Sequence, residues 1–272
     1  MRIGTKIAAT TAARVLVDVG VAAAHDLFLK PQQYFLPERA SVLIRVLNGT
    51  FVRSENSIAR DRVLDVSVVS PDGRSRLDTA SWSVAGDTSW FRVQTGATGT
   101  YLLGASTRPS IIAMTAAEFN EYLRGDGVPD VLAARRHERS PDKQVRERYH
   151  KHVKAVIQVG ETRTDHFAAP LGYAAEIIPL ENPYTLRRGD VLRVRTLVNG
   201  APVVNQFLLF GGRTSSGGRI PQRSTRSDSN GVARVPLQLN GTWYLKFIHM
   251  TRLERDTVDY ESRWASLVFQ VR

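Results

Sequence analysis

The chain contains no cysteine. That absence excludes disulfides, thiolate metal sites, a cysteine nucleophile and a lipid-modified cysteine anchor. It leaves the compartment open, because a chain of 272 residues buries enough core to do without covalent staples. An unbroken apolar run of about 18 residues, the least a stable membrane-spanning helix needs, is also missing. So are the G-x-S-x-G, H-E-x-x-H, P-loop and dinucleotide-binding patterns. The glycine-rich "GGRTSSGGR" (residues 211–219) follows a strand pattern and opens no helix, so it reads as a hairpin loop and not as a phosphate cradle. Neither an enzyme nor an organic cofactor is expected.

Positive charge is abundant. Lys and Arg number 37 against 26 Asp and Glu, a formal net charge of +11. Such an excess steers acidic partners such as polysaccharides, lipid head groups or nucleic acid. Arg45, Arg53, Arg60, Arg62, Arg74 and Arg76 are scattered over separate loops and strand faces, however. With no nucleic-acid-binding motif beside them, they read as a solvated basic surface, and nucleic acid is not an expected partner. The first residues carry Arg2, Lys6 and Arg14, then "VLVDVGVAAA", then a small-x-small site at Ala22 and Ala24. This order predicts a signal peptide over residues 1–24, although Asp18 interrupts its apolar segment. Cleavage after Ala24 removes Arg2, Lys6, Arg14 and Asp18, leaves +9, and makes His25 the first residue of the exported chain.

From His25 onward the grammar is β. "SVLIRVLNGT" alternates Val42, Ile44 and Val46 on one face and ends in an Asn-Gly turn signal. "RVLDVSVVSPDGRSRL" places Val63, Asp65, Ser67 and Val69 on one face and Leu64, Val66 and Val68 on the other, closed by Pro71-Asp72-Gly73. Strands at roughly ten-residue spacing predict an immunoglobulin-like β-sandwich over residues 25–114. Residues 115–170 read as a partly helical connector. Thr115 and Glu118 have capping-box spacing, Phe119, Tyr122 and Leu123 share a helical face, and residues 125–129 break the helix. The charged "HERSPDKQVRERYHKHVKAVIQVG" then leads into a strand ending at Gly160. Residues 171–272 return to strands and turns and predict a second immunoglobulin- or transthyretin-like sandwich.

"AHDLFLKP", "EFNEYLRGDGV", "RERYHKHVKAVIQVG", "LGYAAEIIPLENPYTLRRGDVLRVRTLVNGAPV", "GTWYLKFIHM" and "YESRWASLVFQV" together resemble the periplasmic family described as a cobalt/nickel transport component (NikM-like), the domain-of-unknown-function family numbered 4198. The resemblance implies a soluble Gram-negative periplasmic protein of β-sandwich domains. Its expected cargo is a divalent transition metal (nickel, cobalt or copper), and its expected partners are components of a metal uptake transporter.

Without cysteine, a transition-metal site draws on imidazole and carboxylate ligands. The histidines are His25, His137, His150, His152, His166 and His249. As a mature terminus His25 offers an amine and an imidazole on one residue, and Asp26 adds an oxygen, although adjacent strand residues point to opposite faces. His249 lies in the strand pattern "KFIHM", at a position where the resemblance also implies a histidine. Glu261 or Asp259 on the final hairpin is placed to orient its ring. The expected metal residues are therefore His25, His249, Asp26 and Glu261, and a site shared by His25 and His249 requires their ring nitrogens within about 3–4 Å. His150 and His152 share a face if the segment is a strand. Lys151 and Lys154 crowd them, and the pair reads as solvated surface. A mature N-terminal histidine on a β-sandwich also resembles copper histidine-brace proteins. No other histidine precedes His137, however, so a second ligand from the same sandwich is lacking and oxidative catalysis is not expected.

Overall fold

The structure is a computed structural model describing residues 25–137 and 142–272; the leader read at residues 1–24 lies outside them. The strands of the first half are β1 (Asp26–Pro31), β2 (Phe35–Leu36), β3 (Ser41–Gly49), β4 (Val63–Ser70), β5 (Gly73–Arg76), β6 (Ser83–Ala85), β7 (Thr88–Gln94), β8 (Gly99–Thr107) and β9 (Ser110–Met114). Two helices follow, α1 (Ala116–Gly125) and α2 (Pro129–Arg135), and then β10 (Val145–Val159). The remaining strands are β11 (Ala175–Pro179), β12 (Val191–Val198), β13 (Ala201–Pro202), β14 (Phe207–Thr214), β15 (Arg219–Arg226), β16 (Val232–Pro236), β17 (Gly241–Arg252) and β18 (Tyr260–Val271). The chain is mainly β, as its alternating pattern predicts.

Three sheets are stacked. The first joins β1-β3-β7-β6, and the third joins β11-β12-β13 with β16 on β12. Between them a ten-stranded sheet runs β15-β14-β17-β18-β10-β8-β4-β5, with β2 and β9 also paired to β10. Alternation along the central strands sends successive side chains to opposite faces. The front face packs Val153, Ala155, Ile157 and Leu103 against Leu29, Ile44 and Val46 of the first sheet. The back face packs Val156, Leu245, Phe247 and Leu267 against Ile177, Leu192 and Val235 of the third. Beside the first sheet, Phe119, Tyr122 and Leu123 of α1 cover Ile248, Tyr260 and Trp264 on the front face. The central sheet thus contributes strands to both sandwich cores.

Local sequence explains several elements directly. Val42, Ile44 and Val46 are buried as their alternation requires. Thr115 and Glu118 form the capping box that starts α1. One expectation fails by one residue: a β-bulge between Val63 and Asp65 turns Val63 into the front core with Val66 and Val68 and leaves Leu64 53% exposed. A bulge inserts one unpaired residue, so the alternation restarts out of phase.

β10 departs most from the reading of residues 115–170 as a partly helical connector, because its strand already begins at Val145. It is the middle of the sheet, parallel to β18 on one side and antiparallel to β8 and β9 on the other. Lys151, His152 and Lys154 are buried within it. On the back, Lys154 pairs with Glu176 of β11, whose carboxylate also accepts the backbone N–H groups of Leu171, Gly172 and Tyr173. Gly104 of β8 lets that loop lie close, since a Cβ there would stand 2.1 Å from a Leu171 methyl.

Candidate functional site

The front face gathers buried charge where the chain enters β1. Asp26 receives two hydrogen bonds from the Lys246 ammonium, at 2.7 and 2.6 Å. Asp126, just past α1, takes a third at 3.0 Å. Burial opposes the charge on Lys246, yet the two carboxylates outweigh it and raise the ammonium above its ordinary range. Burial is the larger influence on Asp126, whose pKa is raised in spite of Lys246.

Next to this triad lies a cavity of about 70 Å³ lined by His25, Asn48, Glu147, Tyr149, Lys151 and Trp264, with Ile112. The Lys151 ammonium donates to the His25 carbonyl and to Asn48 Oδ1, and it stands 5.0 Å from the Trp264 ring centre. Burial pulls Lys151 down to about 8, against the attraction of Asp26, Asp126 and Glu147. Glu147 is 1% exposed. Its Oε1 accepts from the Tyr122 and Ser262 hydroxyls, while its buried Oε2 has no hydrogen-bond partner. Burial, opposed by those hydroxyls, holds the carboxyl up at about 7. Buried polar atoms are seldom left unpaired, and displaced carboxyl and amine pKa values in one cavity make it a candidate site. The His25 imidazole turns toward the rim, with Nδ1 3.2 Å from Glu55 Oε2.

His249 is elsewhere. In β17, Tyr244, Lys246 and Ile248 face the front, while Trp243, Leu245 and Phe247 face the back. His249 therefore sits on the back face, across the sheet from the Lys246–Asp26 pair. The amide group of Gln206 donates to the Phe207 and Ile248 carbonyls, both at 3.1 Å, which leaves its Oε1 as the acceptor 3.0 Å from His249 Nδ1. Nδ1 therefore carries the proton and Nε2 the lone pair. Gln206, rather than Glu261 or Asp259, orients this ring. Glu261 instead binds Arg263 at 2.5 Å and faces Arg148 at 3.9 Å, and Asp259 binds Lys143 and the Arg146 N–H. Arg263 lies in register with His249 on one side and His150 on the other.

His150 and His152 share this back face, their ring centres 4.8 Å apart. His152 bonds Ser106 at 2.8 Å and stacks on Tyr173. Burial, with His150, Arg263 and Lys154 nearby, pushes it down to about 3. The expectation of a solvated pair is corrected for His152, which is 3% exposed.

The four residues expected to hold a metal are thus divided: His25 and Asp26 at the front, His249 and Glu261 at the back. Both carboxylates already have cationic partners. Among the described residues no group of three or more His, Cys, Asp or Glu side chains is arranged to hold a metal ion. A resident site made of side chains alone does not fit. Sequence reasoning missed Glu55, Glu147, Lys151 and Lys246; of these only Lys246 carried a signal, as the lone charge inside the apolar "YLKFI".

Among the described residues no helix is long and apolar enough to cross a membrane. Comparison with curated proteins finds no match. Among solved structures, trypsin-activated α-2-macroglobulin from Escherichia coli is similar at 11% identity and a TM-score of 0.24, covering 92% of this chain and 16% of its own. A DUF4785 family protein from Legionella pneumophila is similar at 10% identity and a TM-score of 0.24, over 80% of this chain and 50% of its own. A two-domain fibronectin type III segment of chicken tenascin gives 11% identity and a TM-score of 0.22, over 89% of this chain and 97% of its own. The chain spans half or less of the first two. The family model described as Domain of unknown function (DUF4198) matches residues 22–251, and the chain belongs to that family.

Proposed function

We propose that this is an exported periplasmic protein that takes a divalent transition-metal ion of the nickel, cobalt or copper class at His25, as an accessory to metal uptake. The observation that carries the reading is the 3.2 Å approach of His25 Nδ1 to the Glu55 carboxylate, at a residue whose carbonyl is tethered by Lys151. Cleavage after Ala24 would add the α-amine. Amine and Nδ1 then chelate from one residue, and Glu55 supplies an oxygen, a donor set suited to borderline divalent ions. Asp26, His249 and Glu261 have no part in this version of the site.

The test is metal titration of chain that begins at His25, made without a histidine tag, beside chain that retains Ala24. The expected result is one ion per chain and a Tm that rises with added nickel, cobalt or copper, because a ligand of the native state stabilises it by about 2.7 kcal/mol at a hundred times Kd. Retained Ala24, or Glu55→Ala, should weaken binding at least tenfold. A Tm indifferent to all three metals in the His25-first protein would sink the reading. It would leave the alternative reading, a metal-free β-sandwich ligand- or protein-binding module of the cell envelope, whose ligand-binding form the unpaired Glu147 Oε2 beside the cavity favours.

A further inference from the structure

At the opposite end of the front face, away from His25, the outer side of β1 and β3 meets β17 and β18 in a groove of about 390 Å³. Lys30, Arg45 and Arg272 line it with Gln32, Gln270 and Thr242, and its lining includes no Asp or Glu side chain. Sheet register explains how the cations collect there. Lys30 stands directly opposite Arg45 across β1 and β3. Arg213 is paired with Thr242 on β17 and with Arg219 on β15, and Thr242 is paired with Gln270. Cross-strand partners share a face, so Arg213 and Arg219 join the same side as Lys30.

Two like-charged cross-strand pairs therefore stand on one side of the molecule, Lys30–Arg45 lining the groove and Arg213–Arg219 beside it. Like charges directly opposite are destabilising, and among the described residues Arg45, Arg213, Arg219 and Arg272 form no ion pair that would offset them. Burial, Arg45 and Arg213 together press the Lys30 pKa downward, which places Lys30 in their field. The Arg272 guanidinium is held 3.3 Å over the Phe35 ring, and Lys30 is anchored by the Phe51 carbonyl at 3.2 Å. These cations are fixed in place, and the groove has the volume of a small-ligand site.

We propose that this groove is an oxyanion site that takes the phosphate group of an anionic ligand, either free or on a lipid head group. Guanidinium forks match phosphate oxygens in pairs, and the glutamine amides add neutral donors. The site shares no residue with His25 and Glu55, so it stands or falls independently of metal binding.

The experiment uses the full chain in low-salt buffer. Inorganic phosphate is titrated by calorimetry, and vesicles of phosphatidylglycerol or phosphatidylcholine are tested by flotation. Arg45→Gln/Arg213→Gln is compared with Arg195→Gln/Arg234→Gln on the exposed side of the third sheet. The expected result is saturable phosphate binding that weakens at least tenfold in the groove variant and stays within twofold in the control. In phosphate-free buffer the groove variant should have an equal or higher Tm, which shows that it folds. Binding to phosphatidylglycerol alone, lost in the groove variant, assigns the phosphate to a lipid. No saturable binding to either probe, or equal loss in both variants, overturns the proposal.

Discussion

Glu147 and His152 occupy opposite faces of one strand, and their environments push stability in opposite directions with pH. Glu147 ionises near 4.5 when unfolded and at about 7 when folded. Between those values the folded state holds more protons, so its contribution is fully present at low pH and is lost as pH rises from 4.5 to 7. His152 titrates near 6.5 unfolded and at about 3 folded. Its contribution is present above 6.5 and is lost as pH falls toward 3. Glu147→Gln should therefore gain on wild type as pH rises from 4.5 to 7, by up to about 3 kcal/mol at 1.36 kcal/mol per pKa unit. His152→Asn, which keeps a partner for Ser106, should gain as pH falls from 6.5 to 3. Urea unfolding at a series of pH values checks both, and profiles parallel to wild type would show that neither group titrates differently in the fold.

At the scale of elements, the apolar packing of β10 on the third sheet is joined by a buried ion pair whose two halves are unequal. Lys154 has Glu176, but Glu176 also holds three backbone N–H groups. Removing one member of a buried pair costs about 3–5 kcal/mol. Lys154→Met should fall at the lower end, because Glu176 keeps its three donors. Glu176→Leu should exceed it, since the donors and Lys154 are orphaned together; chemical denaturation measures the difference. The same strand shows where the sequence was legible. Alternation located β3, and the Thr115–Glu118 spacing located α1, because both signals are local. The bulge at Val63–Asp65 carries no such signal. Nor do the partners that make Lys151 a buried residue, since the Asn48 side chain and the His25 carbonyl lie 103 and 126 positions away. A cation that reads as surface was buried by partners that the sequence pattern does not connect to it.

For the molecule as a whole, the consequence of a shared central sheet is cooperativity. Front and back cores meet on the same strands, so neither core can melt without exposing the other's support. Calorimetry of the full chain should give one transition with equal calorimetric and van't Hoff enthalpies; two resolved transitions would mean that the cores are energetically separate. The placement of the candidate site follows from the same architecture. Residues on one strand, such as Lys246 and His249, serve different faces, and no sequence pattern says which neighbour each face will meet. The pairing of β10 with β18 carries a further implication for the order of folding. These parallel neighbours, with Glu147 beside Tyr260, come from distant parts of the chain, and contacts of that range form slowly because a long loop must close first. During synthesis β10 emerges well before the strand that flanks it. Until residues 260–271 arrive, the middle of the sheet is an open edge bearing buried-type side chains, and the nascent protein depends on whatever shields that edge.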